Sequence, residues 1–265
     1  MSRVTWLLAR RAAQLGFLGL FLGGIAKGTL ASSLTLNVLP LTDPFVALQE
    51  VLARHTLSVT AVVGAAIVLV AYALVGGRAY CAWVCPVNLI TDFAAWARTK
   101  LGLKQTIALD RRLRFWVLGG VLVASAVTGT VAWEFVNPVT MTHRALVMGS
   151  VVSGLIAAGA IFLFDFGIAA HGWCGHLCPV GAFYGLLGRK ALVRVAATGR
   201  KACNDCMECF AVCPERQVIA PALRGADKGV GPVILSGDCT NCGRCIDVCS
   251  KQVFRFGTRF AAGDE

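Results

Sequence analysis

Residues Leu57–Gly76 read LSVTAVVGAAIVLVAYALVG, twenty positions without a charge, and Tyr80-Cys81-Ala82-Trp83-Val84-Cys85-Pro86-Val87 follows closely behind. A helix rises about 1.5 Å per residue, so a hydrocarbon core of ~30 Å takes ~20 apolar residues. Three further windows reach that length: Ala12–Ala31, Phe115–Trp133 and Ala145–Phe164. Lys27 is the only charge in these windows and stands near the end of the first, from where its stem would carry the ammonium to an interface. Small residues (Gly64, Gly119, Gly120, Gly154, Gly159) recur in the windows and would let helices pack closely.

The composition agrees with this reading. Of 265 residues, 57% are apolar and 15% charged, and the mean hydropathy is +0.70. Average chains are ~25% charged and ~45–50% apolar, so disorder is excluded and a single soluble domain is disfavoured. The net charge of +11 is distributed unevenly. Arg3, Arg10 and Arg11 precede the first window, and Arg78, Arg98, Lys100, Lys104, Arg111, Arg112 and Arg114 follow the second. The two other loops hold only Arg54 and Arg144, whereas twelve basic residues follow Asp165. By the positive-inside rule both termini and the middle loop face the cytoplasm, which accounts for the basic balance without nucleic acid. The expectation is an α-helical polytopic protein of the bacterial inner (cytoplasmic) membrane. Its four transmembrane helices, at about 12–31, 57–76, 115–133 and 145–164, would lie in a domain spanning 1–193, the first retained rather than cleaved as a signal peptide.

The chain also repeats itself. Trp173-Cys174-Gly175-His176-Leu177-Cys178-Pro179-Val180 follows the third and fourth windows as the first C-x-x-x-C-P element follows the first two, at an offset of 93 residues. Two crossings per unit make this a parallel repeat. A spacing of four places both sulfurs of a pair on one helix face. A turn ending in proline at the first position of a new helix reads equally well. Cys81, Cys85, Cys174 and Cys178 are either small packing residues or candidate redox thiols, with an additional metal or a redox dithiol as the chemistry.

The remaining eight cysteines settle the chemistry of the tail. Cys203, Cys206, Cys209 and Cys213-Pro214 are followed, 26 residues after Cys213, by Cys239, Cys242, Cys245 and Cys249. This is the pattern of a bacterial ferredoxin with two [4Fe–4S] clusters, in which the fourth cysteine of each motif ligates the other cluster. Cluster 1 would take Cys203, Cys206, Cys209 and Cys249; cluster 2 would take Cys239, Cys242, Cys245 and Cys213. Zinc knuckles use paired ligands instead of evenly spaced triplets, and disulfides are disfavoured in a cytoplasmic tail. A ferredoxin-like α+β domain is therefore expected over 194–265, a segment poor in large apolar residues that the clusters would staple.

Ser32-Ser33-Leu34-Thr35-Leu36, Leu39-Pro40-Leu41-Thr42-Asp43-Pro44, both C-x-x-x-C-P elements, His171-Gly172-Trp173-Cys174-Gly175-His176 and the double ferredoxin motif together resemble the NapH-type family. These are the ferredoxin-type quinol dehydrogenase membrane subunits of the periplasmic nitrate reductase system, and the resemblance runs over essentially the whole chain. It implies oxidation of membrane quinol with a NapG-type iron–sulfur partner, electrons passing to a periplasmic multihaem cytochrome or to the nitrate reductase. The chain would then be the electron-transfer subunit of a quinol dehydrogenase, not the nitrate-reducing one. The alternative is a membrane polyferredoxin that supplies electrons for maturation of a metalloenzyme.

Quinol oxidation releases protons, and the available acceptors are Asp43, Glu50, His55, Glu134 and His143 toward one face and Asp92, Asp165, His171 and His176 toward the other. No pair among them has a spacing that marks a quinol site. His176 is read first as a hydrogen-bonded surface histidine, with ligand or proton relay as alternatives. There is no P-loop and no dinucleotide fingerprint; Gly181-x-x-x-Gly185 is a helix-packing spacing.

Overall fold

The computed structural model describes residues 5–22, 26–28, 32–35, 39–103, 107, 109–149 and 151–261. Helix α1 (Thr5–Leu22) precedes an antiparallel meander of β1 (Ala26–Gly28), β2 (Ser32–Thr35) and β3 (Leu39–Thr42), with Lys27 opposite Leu34 and Leu34 opposite Pro40. Asp43 then starts α2 (Pro44–Arg54): its carboxylate accepts the Phe45 N–H at 2.9 Å, and Pro44 occupies the first helical position, where no N–H is missed. The helices α3 (Val59–Val75), α4 (Ala79–Trp83), α5 (Val87–Lys100), α6 (Leu113–Thr128), α7 (Pro138–Met148), α8 (Val151–Gly167) and α9 (Pro179–Leu187) follow. The C-terminal part holds β4 (Val193–Ala196), α10 (Glu208–Val212), α11 (Ile219–Arg224), α12 (Arg244–Val248) and β5 (Arg255–Thr258).

The expectation of four transmembrane helices is overturned. Among the described residues, no helix is long and apolar enough to cross a membrane. The apolar windows had been counted across helix breaks. Helix α1 stops at Leu22, Lys27 lies on β1, and the helix instead takes in Arg10, Arg11 and Gln14 toward its start. Residues 23–25 and 29–31 of that window, like Arg3 and Lys104, lie outside the described residues. Helix α3 has 17 residues. Helix α6 has 16 and ends where Gly129 turns left-handed (φ 66°) and donates its N–H to Ser125. Gly149 (φ 72°) closes α7 and divides the fourth window, leaving 17 residues to α8. At about 1.5 Å per residue, helices of this size reach only ~24–27 Å against the ~30 Å required.

The multi-pass inner-membrane placement with cytoplasmic termini is corrected with it, since none of its four crossings has a described helix able to make one. The arginine count fails for a second reason. Arg78, Arg98 and Arg114, read as loop charges, are 1–3% exposed and donate to backbone carbonyls.

The chain forms two compact units. One is built from Gly16–Val70 and Cys85–Phe183, in their described parts. Its polar centre is Gln49, fully buried on α2, whose Oε1 accepts from Ser125 Oγ (3.2 Å) on α6 and from the Trp133 N–H (3.1 Å). One amide thus joins three segments that apolar packing alone would leave free to slide. Helices α7 and α8 pack as a hairpin, and α5 lies along α8 through Phe93 and Phe162, with ring centroids 5.6 Å apart. Past α8, Asp165 Oδ1 accepts the Trp173 N–H at 2.8 Å and fixes the start of a π-helical turn, Trp173–Leu177.

The other unit comprises the described parts of Met1–Leu15, Ala71–Val84 and Tyr184–Glu265. Strands β4 and β5 pair antiparallel with Arg194 opposite Gly257, and Val195, Ile219, Ala222, Ile234, Val253 and Phe254 form its core. Asp247 of α12 accepts the N–H groups of Trp6 and Leu7 (3.1 and 2.9 Å), supplying the anion that the first turn of α1 needs. The rings of Tyr80 and Tyr184 stack at 5.1 Å, with Tyr72 edge-on to both. The approach is so close that a Cβ on Gly77 would stand 1.8 Å from the Tyr184 carbonyl oxygen and 2.7 Å from the Gly188 nitrogen.

Gly77→Ala is therefore expected to cost at least about 2 kcal/mol, read from the denaturant unfolding midpoint. Gly119→Ala on the open face of α6, where nothing lies within 4 Å, should be neutral or stabilising. Equal effects at the two positions would refute the crowding at Gly77.

Candidate functional site

Two loops of the C-terminal part trace the same path. In 203–209 and in 239–245, the residues on either side of the middle cysteine adopt left-handed backbone angles: Asp205 (φ 53°) and Met207 (62°), then Asn241 (48°) and Gly243 (72°). Asp, Asn and Gly tolerate this region, and Met207 is the strained member. Each loop runs into a short helix, α10 or α12, that carries the third cysteine, and the fourth stands in extended backbone just past the helix.

The thiols gather crosswise. Cys209 lies within electrostatic reach of Cys203, Cys206 and Cys249. Cys213 feels Cys239 and Cys242, and Cys245 feels Cys242, Cys239 and Cys213, with Cys209 beyond them. Burial, reinforced by neighbouring thiolates, pushes Cys213 up to about 12 and Cys239 up to about 11, and raises Cys209 and Cys245 as well. Eight thiols gathered in two sets, four of them with raised pKa, are a donor set suited to soft metal, which replaces their protons. Cys203, Cys206, Cys209 and Cys249 line a shallow hollow together with Phe210, Leu223 and Phe254. Among the described residues no three His, Cys, Asp or Glu side chains close on a single metal ion. None of the twelve cysteines is in a disulfide.

Polar residues outside the motifs hold the second set. Arg78 is buried just before α4; its Nη1 donates to Glu215 Oε1 at 2.5 Å and to the Asp238 carbonyl at 3.0 Å. Burial opposes its charge most strongly, and Glu215, Cys81 and Asp238 together more than offset that, raising the guanidinium above its ordinary range. Glu215 follows Cys213-Pro214 and Asp238 precedes Cys239, so one cation ties both ends of the set. Asn241 Nδ2 donates to the carbonyls of Val75 and Val193 (2.9 and 3.0 Å), while its Oδ1 stands 3.5 Å from Cys239 Sγ. The indole N–H of Trp83 donates to the Asn241 carbonyl at 3.0 Å. No spacing in the sequence announces Arg78, Glu215, Asn241 or Arg194; the only signal was an arginine between two apolar windows.

The four other cysteines are placed as follows. Cys81 lies on α4 within electrostatic reach of Arg78, in the unit that carries the ferredoxin motifs. Cys85, Cys174 and Cys178 belong to the other unit. The turn reading of C-x-x-x-C-P fits both elements: Cys85 and Pro86 separate α4 from α5, and Pro179 opens α9 after an extended Cys178. Asp43 caps α2, Glu134 accepts from Asn137 and Thr140, and His55 ends α2 in a left-handed turn. Glu50 and Asp92 are half-buried on α2 and α5, and His143 is buried on α7. His171 (φ 54°) precedes the π-helical turn that holds His176. Asp165 is fully buried, and its Oδ2 has no hydrogen-bond partner among the described residues.

The chain matches a 4Fe-4S dicluster domain over residues 202–253, and a 4Fe-4S binding domain twice, over 57–104 and 150–197, an offset of 93 residues. It is 48% identical to the ferredoxin-type protein NapH of Escherichia coli over 97% of this chain and 91% of that one. NapH of Haemophilus influenzae is 46% identical over 96% and 90%. The chain belongs to the NapH-type family of ferredoxin-type proteins. Like that family, it is an iron–sulfur electron-transfer protein. Similarity extends to the methylamine utilization ferredoxin-type protein MauN of Methylorubrum extorquens, 49% identical over 96% of this chain and 89% of the other. No solved structure matches the chain.

Removing the Glu215 carboxylate leaves the buried Arg78 charge unanswered, and Glu215→Ala is expected to cost about 3–5 kcal/mol in unfolding free energy. The double variant Arg78→Met/Glu215→Leu removes both charges and should recover most of that loss. If it is no more stable than Glu215→Ala, the ion pair is not what holds the loops together.

Proposed function

We propose that this protein holds two [4Fe–4S] clusters and carries electrons from quinol toward nitrate reduction, as part of the Nap system. Its partners are a NapG-type iron–sulfur protein and, beyond it, a multihaem cytochrome or the nitrate reductase. The single observation that carries the two-cluster reading is the crosswise gathering of eight thiols within one unit, Cys249 with Cys203, Cys206 and Cys209, and Cys213 with Cys239, Cys242 and Cys245. A [4Fe–4S] cluster, when bound, takes up and gives back one electron without a proton.

The chain supplies the rest. The raised thiols, Cys239 and Cys245 among them, hold their protons until iron displaces them. The Val253 N–H donates to Cys249 Sγ at 3.3 Å and helps to fix that sulfur in place. We assign the 194–265 segment as the electron-carrying module, and Cys81 and Cys85 as thiols that serve transfer into it. The place of Cys81 beside Arg78 supports this, because a guanidinium favours thiolate. A second reading, electron supply for maturation of a metalloenzyme, draws support from the MauN relatives, whose name ties them to methylamine utilization.

Protein purified without oxygen should contain about eight iron and eight sulfide per chain, as two four-iron cubanes require. Cys213→Ala should damage the cluster carried by the distant Cys239, Cys242 and Cys245 and spare the one nearer in sequence. About four iron per chain in the intact protein would remove the two-cluster assignment.

Deleting the protein separates the two readings. Under the electron-transfer reading, the reductase is fully assembled and loses only quinol-driven flux; a reductase lacking its cofactors establishes the maturation reading instead. In the same assay Cys81→Ser/Cys85→Ser, at normal abundance and with both clusters intact by spectroscopy, is expected to abolish quinol-driven flux. Normal flux in that variant takes these thiols out of the mechanism.

A further inference from the structure

Arg194 on β4 is 1% exposed, and every partner of its guanidinium among the described residues is a backbone carbonyl. Its Nε donates to Ala191 at 3.3 Å, Nη1 to Ser236 at 3.1 Å, and Nη2 to Gly188. Carbonyl dipoles satisfy the donors but leave the positive charge unbalanced, and a buried cation without a counter-ion is strongly disfavoured. The Ser236 carbonyl that Arg194 binds also accepts the Cys239 N–H at 3.3 Å, so a single peptide oxygen links the guanidinium to a cysteine of the second set. Arg194 and Cys239 lie within electrostatic reach of each other. Arg78, the other buried cation here, is already answered by Glu215. Arg259, exposed and bound to the Lys190 carbonyl, adds positive charge on the Arg194 side.

Asp205 and Glu208 line the hollow of the first thiol set together with Lys251, and Asp205 pairs at the surface with Arg224.

We propose that Arg194 is the buried counter-charge of the cluster held by Cys213, Cys239, Cys242 and Cys245, and that it makes this cluster the first of the two to be reduced. The inference rests on the two-cluster reading above. Four thiolates on a 2+ core carry a net charge of −2, and one added electron makes the core 1+ and the whole −3, with no proton taken up. Burial alone penalises the more negative state and lowers the potential. A guanidinium fixed beside the cluster attracts the −3 state more than the −2 state and works the other way. Arg194 is thus a positioning residue for charge: it touches no substrate and sets where the electron rests.

The test is a dithionite titration of the full chain, purified without oxygen, with potential and paramagnetic signal recorded together. Two one-electron couples are expected, and Cys213→Ser should perturb the signal that appears at the higher potential, whereas Cys206→Ser perturbs the other. Arg194→Met should lower only the higher couple, so that its reduced-to-oxidised ratio at fixed potential falls at least tenfold, equivalent to about 59 mV for one electron. Arg194→Lys, which keeps the charge, should restore most of the shift. The proposal is overturned if Arg194→Met leaves the couple in place or moves both couples alike. It is overturned equally if Cys206→Ser is the variant that perturbs the higher-potential signal, a comparison that needs no Arg194 variant to fold. Iron near four per chain in the intact protein is a different result, and refutes the two-cluster reading itself.

Discussion

A guanidinium with 1% exposure must have its charge and its donors answered from within the protein, and in this chain Arg78 sets that requirement. Its answers are the Glu215 carboxylate and the Asp238 carbonyl, 137 and 160 residues away in sequence. Because Glu215 stands two residues beyond Cys213 and Asp238 one before Cys239, satisfying Arg78 also sets the separation of two thiols that share a site. The small apolar core around Val195, Ile219 and Phe254 cannot do this alone, since apolar contact is non-directional and fixes no register. Directional bonds to a buried charge do fix it, and the cost of breaking them makes the arrangement specific.

The same logic recurs at lower stakes. Asn241 stands in a left-handed turn, holds the Val75 and Val193 carbonyls, and leaves its own Oδ1 near Cys239. Asp247 supplies the first turn of α1 with an anion from α12. In the other unit Gln49 joins α2, α6 and the turn at Trp133 through one carbonyl oxygen, and Asp165 holds the turn bearing Cys174 and Cys178. Buried polar side chains, each bonded to backbone or side-chain partners distant in sequence, do the positioning that a protein with few charged residues leaves to few groups.

Such a frame suits electron transfer. A carrier works fastest when nothing around the redox centre has to move as charge arrives, and groups pinned by several bonds move least. The thiols of Cys213 and Cys239 sit among such groups, and the raised pKa of both reflects how little water reaches them.

Spacing alone determined which cysteines belong together as a ferredoxin motif, because three thiols at intervals of three and a fourth after four more residues encode a wrapped loop within a single stretch of chain. The 93-residue repeat and the membership of the NapH-type family were legible for the same reason: each is a property of residue order. The membrane-spanning helices were misread because hydropathy counts apolar residues and does not see where a helix ends. Gly129 and Gly149 turn the backbone left-handed inside two of those windows, and β1 takes Lys27 out of the first. The fates of Arg78, Arg98, Arg114 and Arg194 were equally out of reach. An arginine reads as a surface charge until tertiary structure brings a carboxylate or a ring of carbonyls to it, and those partners lie up to 160 residues away in sequence. Local order decided what chemistry the chain carries; long-range burial decided which charges stand beside it.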